Sequence, residues 1–502
     1  MQKQPVTSDS DSIILLQKQN ESLAKINQEQ HQQIAYLKQA LAQLKRMIFG
    51  QKRERFMPEQ NAQMSLELQG IDRANDQPQT EQVSYQRNKP GKKGKAIRLQ
   101  LPAHLPRERT VIDVECLEAG AKKIGEHITE IAEYIPGKLF VKQYVRPKYV
   151  QGETILIAPL PTLPIPQGNA GPGLLAHLLI SKFVDHLPFY RQVQQFKREG
   201  VKIAESTISG WFTKSCQLLE PLYGCLREKI QQSDYLNADE TPIPVQSSYK
   251  KGATHTGYHW VYHAPLQNMV YFDYRKGRGR EGPQEFLKDF KGALQTDGYA
   301  AYEIFNNHKD VTLLACMAHA RRYFDKATDN DKARAEHALE LIQQLYAVER
   351  RAKQQALEFE HRYQLRIQEA VPVLDTFHHW LKENMAQVLP KSAIGKAIAY
   401  SLKLWPRLIR YTENGKWSID NNLVENSIRP LALGRKNYLF AGSHQAAKYA
   451  DMLYSFLGTC KMNDINPFDW LKYTLEKIPD TKLSQLNTLL PLKDNFDQTK
   501  LQ

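Results

Sequence analysis

Asp239, Asp297 and Glu425 stand in three short islands of sequence, and if they act together, only a fold that gathers distant segments can accommodate the chain. The islands read Tyr-Leu-Asn-Ala-Asp-Glu-Thr-Pro, Leu-Gln-Thr-Asp-Gly-Tyr and Ile-Asp-Asn-Asn-Leu-Val-Glu-Asn. Three carboxylates brought to one place can hold two Mg²⁺ ions, which need hard oxygen ligands and can flank a phosphate undergoing in-line displacement. The chain carries 54 Asp and Glu residues, most of which belong on solvated faces, so the inference rests on the combination and not on any one acid.

The surroundings of the acids set local structure. Asp239, Thr241, Ile243 and Val245 alternate as one face of a strand. Asp297 follows the stretch 292–296, and Gly298 after it permits a tight turn. Both acids are therefore expected at strand ends. Aromatic and β-branched runs over 257–263 and 269–274 predict two more strands, 284–290 a helix, 311–316 another strand, and the stretch through His319 and Phe324 a helix. This order is analogous to the ribonuclease H-like fold of two-metal nucleases and transposases. Glu425 is expected inside a helix, with Asp420 the better cap.

Seven pieces of the chain, in order, carry a family resemblance. They are Phe49-Gly-Gln-Lys-Arg-Glu-Arg-Phe, Asp185-His-Leu-Pro-Phe-Tyr-Arg-Gln, Glu205-Ser-Thr-Ile-Ser-Gly-Trp, Asn237-Ala-Asp-Glu-Thr-Pro, Thr296-Asp-Gly-Tyr, Cys316-Met-Ala-His-Ala-Arg-Arg-Tyr-Phe and Ile419-Asp-Asn-Asn-Leu-Val-Glu-Asn-Ser-Ile-Arg-Pro. The sequence resembles the insertion sequence 66 family of transposases, DDE-type enzymes of bacterial mobile elements. The resemblance implies that Asp239, Asp297 and Glu425 are a catalytic triad holding two Mg²⁺ or Mn²⁺ ions. It implies partners too: terminal inverted repeats and target DNA, and accessory proteins of the same element. It further implies that Cys316 and His319, two ligands too few for a metal site of their own, brace the core beside the acids. A catalytically inactive DNA-binding relative and a two-metal nuclease without strand joining remain competing readings.

The long interval between Asp297 and Glu425 exceeds what a compact ribonuclease H core needs. From Lys332 to about Tyr411 it is helical in period, with Ala338, Leu341, Leu345 and Val348 on one stripe, which predicts an all-α insertion. Its role is open between contacting DNA or a second subunit and simply supporting the site. Upstream, helices are expected from Gly173, over Phe189–Glu199 and over Glu205–Lys214, with Gly200 at the last turn. That outline is a helix-turn-helix, shared by many ordinary helical cores. Arg191, Lys197, Arg198 and Lys202 are its candidate phosphate contacts, and Ser206, Thr207 and Ser209 its candidate base contacts. Arg321, Arg322, Arg429, Arg435 and Lys436 are further phosphate candidates near the acids, against a reading as solvated surface.

The N-terminus holds a heptad pattern. Ile13, Asn20, Asn27, Ile34, Leu41 and Ile48 form one seam, and Leu16, Leu23, Gln30, Leu37 and Leu44 the other. A coiled-coil dimer is the reading, with polar seam positions setting register, against a single amphipathic helix docked on the body. The polar stretch that follows, with Lys89-Pro-Gly-Lys-Lys-Gly-Lys, reads as a flexible basic linker. Residues 99–166 correspond to a part of the family that usually carries a zinc module built on paired cysteines. Here Cys116-Leu-Glu-Ala-Gly and Tyr149-Val-Gln-Gly-Glu stand in those places. One Cys with His104 and His127 does not make a tetrahedral site, so no zinc is expected, and 138–149 should form strands of a metal-free β module.

A net charge of +14 suits a polyanionic partner without specifying it. Five scattered Cys residues argue against a disulfide framework. No apolar run long enough to span a bilayer and no signal segment appear, so a soluble, cytoplasmic protein with no membrane partner is expected, and the resemblance implies association with the bacterial nucleoid. The expected layout is multidomain α+β. It comprises a coiled coil (12–50), linker (51–98), small β module (99–166), helix-turn-helix region (167–230), ribonuclease H-like α/β core in two parts (231–325 and 412–478) around an all-α insertion (326–411), and a tail (479–502).

Overall fold

The computed structural model describes residues 137, 139–146, 148–151, 154–157, 159–166, 168–246 and 252–496. The heptad seams, the basic linker, Cys116, His104 and His127 lie outside the described residues. The described residues fall into two compact units that divide near residue 160.

The first unit contributes β1 (Lys148–Gln151) and β2 (Thr154–Ile157), an antiparallel pair closed at Gln151 and Thr154. The strands thus lie later than the expected 138–149, and residues 139–146 carry no regular element. A proline has no N–H to give a ladder, and the sequence carries Pro147 immediately before the first strand.

The second unit is α+β, built on a mixed five-stranded sheet. It opens with α1 (Pro172–Phe183), α2 (Phe189–Arg198) and α3 (Glu205–Gln231). Helix α3 runs well past the expected end at Lys214. Its apolar residues continue at helical spacing through Cys216, Leu219, Leu222, Leu226 and Ile230, all buried, so packing carries the helix on through Pro221. The sheet strands are β3 (Tyr235–Gln246), β4 (Thr254–Ala264), β5 (Met269–Arg275), β6 (Gly292–Thr296) and β7 (Val311–Ala315). Their order is β5-β4-β3-β6-β7, antiparallel among the first three and parallel across β3, β6 and β7. Pro242 and Pro244 lie on β3 beyond the end of β6, where the ladder loses no donor. The short helix α4 (Glu281–Phe286) joins β5 to β6 and starts earlier than the expected 284–290.

After β7 come α5 (Met317–Ala327), α6 (Lys332–Gln354), α7 (Phe359–Leu365), a π turn at Arg366–Ala370, α8 (Val371–Met385), α9 (Ala393–Leu408), α10 (Asn422–Tyr438), α11 (His444–Met462) and α12 (Pro467–Lys477). Period-2 alternation gives the sheet two apolar faces. Leu236, Ala238 and Leu294 join a core with α1, α3, α11 and α12. Tyr235, Ala293 and Leu314 join a second core with α5, α6, α8 and α9, where Phe324, Phe377 and Trp405 pack together. The stripe of Ala338, Leu341, Leu345 and Val348 is buried in that second core. Among the described residues no helix is long and apolar enough to cross a membrane.

Candidate active site

The parallel pairing of β3 with β6 sets Asn237 opposite Gln295. Asp239 and Asp297 each follow two residues later, so the register brings the two acids level on neighbouring strands and, by the period of the pleat, to the same sheet face. That is the face covered by α5 and α9. Each Asp is tied by a backbone N–H close to it in sequence, Asp239 within its strand and Asp297 in the turn that follows. Asp239 Oδ1 accepts from the Glu240 N–H at 2.8 Å, and Asp297 Oδ1 from the Tyr299 N–H at 2.8 Å. Both leave Oδ2 without a hydrogen-bond donor among the described residues. The turn after Asp297 depends on Gly298, whose φ of +85° suits glycine and whose missing Cβ would come 2.6 Å from Leu404 Cδ1. Tyr400 of α9 donates to the Asp297 carbonyl at 2.7 Å.

Glu425 sits in the first turn of α10, where a carboxylate also suits the helix dipole. Its partners come from α5: Arg322 Nη2 is 3.4 Å from Oε1 and 3.5 Å from Oε2, and His319 Nε2 is 3.9 Å from Oε1. Burial pushes the Asp239 carboxyl up to about 8, and Glu240, Asp297 and Glu425 push the same way, whereas the Glu240 N–H opposes them. The three acids of the sequence islands therefore share one electrostatic site. As the side chains stand, no three His, Cys, Asp or Glu groups among the described residues are close enough set to hold a metal ion.

A buried polar network holds the segment before α10 against the strands. Tyr235 Oη donates to Gln295 Oε1, Asn237 Nδ2 donates to both at 3.0 and 2.9 Å, and Gln295 Nε2 donates to the carbonyl of Ser418 at 2.9 Å. The Ser418 N–H returns a bond to Tyr235 Oη at 2.9 Å. Cys316 closes the circuit: its Sγ accepts from the Asn421 N–H at 3.4 Å, and burial pushes its thiol up and keeps it neutral. Asp420 accepts from Tyr346 of α6 at 2.7 Å and from the Asn422 N–H at 3.1 Å. Sequence reasoning passed over Tyr235, Asn237, Gln295 and Tyr400. Asn237 and Gln295 lie in the quoted islands, two positions before each acid, and that symmetry was the signal available.

A second belt runs along the outer side. Arg278 Nε donates to Glu240 Oε1 at 2.9 Å, and its guanidinium lies 4.1 Å from the Tyr299 ring centre. Arg435 of α10 is half-buried and donates to Thr241 Oγ1 at 2.8 Å and to the Pro242 carbonyl, so its head joins α10 to β3. Arg429 and Lys436 are exposed on α10, and Arg321 is half-buried on α5.

The remaining sequence candidates gather elsewhere. Lys197, Arg198 and Lys202 are exposed around the turn between α2 and α3, and Ser206, Thr207 and Ser209 are exposed on the first turns of α3. Arg191 of α2 reaches Asn437 Oδ1 at 3.4 Å. Asn437 is about 18 Å along α10 from Glu425 at the usual helical rise, so this group stands apart from the acids.

Residues 167–449 match the family described as Transposase IS66 family, residues 455–492 match IS66 C-terminal element, and residues 36–110 match Transposase C of IS166 homeodomain. Among similar proteins of Sinorhizobium fredii, uncharacterized protein y4jD is 30% identical over 492 residues, covering 92% of this chain and 95% of its own. Uncharacterized protein y4hP is 32% identical over 427 residues, covering 79% and 76%, and uncharacterized protein y4qI is 30% identical over 494 residues, covering 93% and 90%. By the match across most of its length, the chain belongs to the IS66 family of transposases.

Proposed function

We propose that the protein cleaves the ends of a mobile DNA element and joins the freed 3′ ends to target DNA, with Asp239, Asp297 and Glu425 as its catalytic acids. The observation that carries this is the register of β3 and β6, which sets two acids level, with Asp297 just past the end of β6 as expected but Asp239 inside the longer β3 and not at its end, and with a third acid in the same electrostatic site. The strand order, three antiparallel strands extended on one side by two parallel ones, supports a ribonuclease H-like core interrupted by the helices from α6 to α9.

The donor set fits divalent ions: hard oxygens, two of them with a free lone-pair face, and an Asp239 charge that burial and its acidic neighbours disfavour until a cation arrives. Mg²⁺ or Mn²⁺ held by the three acids would polarise the scissile phosphate and offset the charge that builds up in displacement. The chain's own groups do the rest. The Glu240 and Tyr299 N–H groups fix the two Asp carboxylates, and the network through Gln295 and Ser418 holds the start of α10. Arg321, Arg322, Arg429 and Lys436 are assigned to DNA phosphate near the acids. Arg191, Lys197, Arg198 and Lys202 are assigned to phosphate at the α2–α3 turn, with Ser206, Thr207 and Ser209 reading bases. The heptad residues Ile13, Leu16, Leu23, Ile34, Leu37, Leu41, Leu44 and Ile48 pair two copies, which suits an enzyme that holds two DNA ends.

The test is cleavage and joining of labelled DNA carrying the element's terminal repeat, with Mg²⁺ or Mn²⁺. Asp239→Ala, Asp297→Ala and Glu425→Ala are each expected to abolish both steps while DNA binding persists. Activity surviving Glu425→Ala would remove the third acid from the assignment. Cleavage without joining, and without need of the repeat, would favour a nuclease.

A further inference from the structure

We propose that Arg322 is a positioning residue that holds Glu425 away from the Asp239 and Asp297 pair until a DNA phosphate takes its guanidinium, coupling DNA binding to divalent-ion binding. This rests on the two-ion reading of the three acids.

The three carboxylates are held in different ways. Asp239 and Asp297 accept from backbone N–H groups one and two residues away, so strand and turn fix them. Glu425 has no such anchor among the described residues: its carboxylate is met by side chains of α5, Arg322 and His319, three positions apart and so on one helix face. The Arg322 Nη2 spans both Glu425 oxygens at 3.4 and 3.5 Å, the outer limit of a hydrogen bond. The two side chains are 34% and 29% exposed, so the pair is open to solvent and to a ligand. An ion pair so long and so exposed is weak. A phosphodiester offers a guanidinium two oxygens in a geometry that it matches as well as a carboxylate. Exchange of Glu425 for phosphate would leave the Glu425 carboxylate without its cation, within the field of two fixed Asp groups. A divalent ion is then the partner that satisfies all three.

The experiment titrates Mn²⁺ into the full chain by electron paramagnetic resonance, with and without random-sequence duplex DNA at low salt, after subtracting Mn²⁺ bound to DNA alone. Wild type, Arg322→Gln, Arg322→Lys and Asp297→Asn are compared, with melting temperatures as a check on folding. Without DNA, Arg322→Gln should bind Mn²⁺ about tenfold more tightly than wild type, within the usual range of coupling between sites. DNA should tighten Mn²⁺ binding by wild type by a similar factor and that of Arg322→Gln little. Arg322→Lys, which keeps the charge but not the fork, should fall between them. Equal or weaker Mn²⁺ binding by Arg322→Gln, with Asp297-dependent binding intact, overturns the latch and leaves the metal reading standing. Mn²⁺ binding that is absent throughout, or unchanged in Asp297→Asn, overturns both.

Discussion

Asn237 and Gln295 face each other across the parallel pair of β3 and β6, with Asn237 Nδ2 donating to Gln295 Oε1 at 2.9 Å, and each stands two residues before an acid. The pair fixes strand register from the side chains as well as the backbone. A slip of one residue would send Asp239 and Asp297 to opposite faces of the sheet. Gln295 also reaches the Ser418 carbonyl, so one amide sets the level of two acids and the approach of the segment leading to the third.

Gln295→Leu should therefore cost more in activity than in stability. The variant leaves the Tyr235 hydroxyl, the Asn237 amide and the Ser418 carbonyl each short of a partner in a buried site, a penalty of about 1–3 kcal/mol for such a group. A lower denaturation midpoint is expected, together with at least a hundredfold loss of end cleavage measured well below that midpoint. Wild-type cleavage in a destabilised but folded variant would show that the network serves folding alone.

The pH dependence of stability should report Asp239. Its carboxyl is held up at about 8 by burial, with Glu240, Asp297 and Glu425 adding to it, against 3.8 for the free group. Between those values the folded, metal-free protein keeps a proton that the unfolded chain has lost. Stability then falls as pH rises through the window and levels off above about 8. Asp239→Asn has no proton to lose. It should melt with wild type near pH 4 and be more stable by about 1–3 kcal/mol above pH 8, as one pK unit is about 1.4 kcal/mol. Mg²⁺ should narrow the gap by stabilising only wild type. A melting difference that is constant from pH 4 to 9 would refute the assignment.

What was legible in the chain was local. Alternation from Asp239 to Val245 places β3, and the turn after Asp297 follows from glycine chemistry at Gly298. The stripe from Ala338 to Val348 places the buried side of α6. The Gln295 to Ser418 bond was not legible, because nothing in either island names a partner more than a hundred positions away. The span of α3 is hidden at its start by polar residues, and only the apolar spacing that continues to Ile230 carries its length. Arg366, one of many charges in a helical stretch, reads as surface in sequence and is fully buried.

Arg366 should be the most sensitive charge among the helices after β7. Its guanidinium makes five hydrogen bonds: two to Glu349, at 2.7 and 2.9 Å, and three to the carbonyls of Tyr411, Asn414 and Trp417 at 2.6, 2.8 and 2.8 Å. These use every N–H it has. Arg366→Met would strand the Glu349 carboxylate, which Arg362 only partly satisfies, and free the segment that leads to Ser418. Removing one partner of such a pair costs about 3–5 kcal/mol. Chemical denaturation should show a loss of that size, and adding Glu349→Leu should restore part of it. A loss under about 1 kcal/mol would mean that water replaces the guanidinium.

DNA binding should separate the exposed cations at the α2–α3 turn from the engaged one on α10. Lys197, Arg198 and Lys202 are exposed, so replacing all three with Ala should leave the melting temperature unchanged and weaken binding to every duplex alike. Each phosphate contact contributes about 0.9 to the slope of log affinity against log salt, so the slope should shrink by about two to three. Ser206→Ala with Ser209→Ala should keep the slope and reduce the preference for the terminal repeat over random DNA. Arg435 behaves otherwise, because its guanidinium is already bonded to Thr241 and Pro242 on β3. Arg435→Ala should lower stability by about 1–3 kcal/mol and change the salt slope little. Fluorescence anisotropy across a salt series measures all three, and an unchanged slope in the triple variant would remove the α2–α3 turn from the DNA interface.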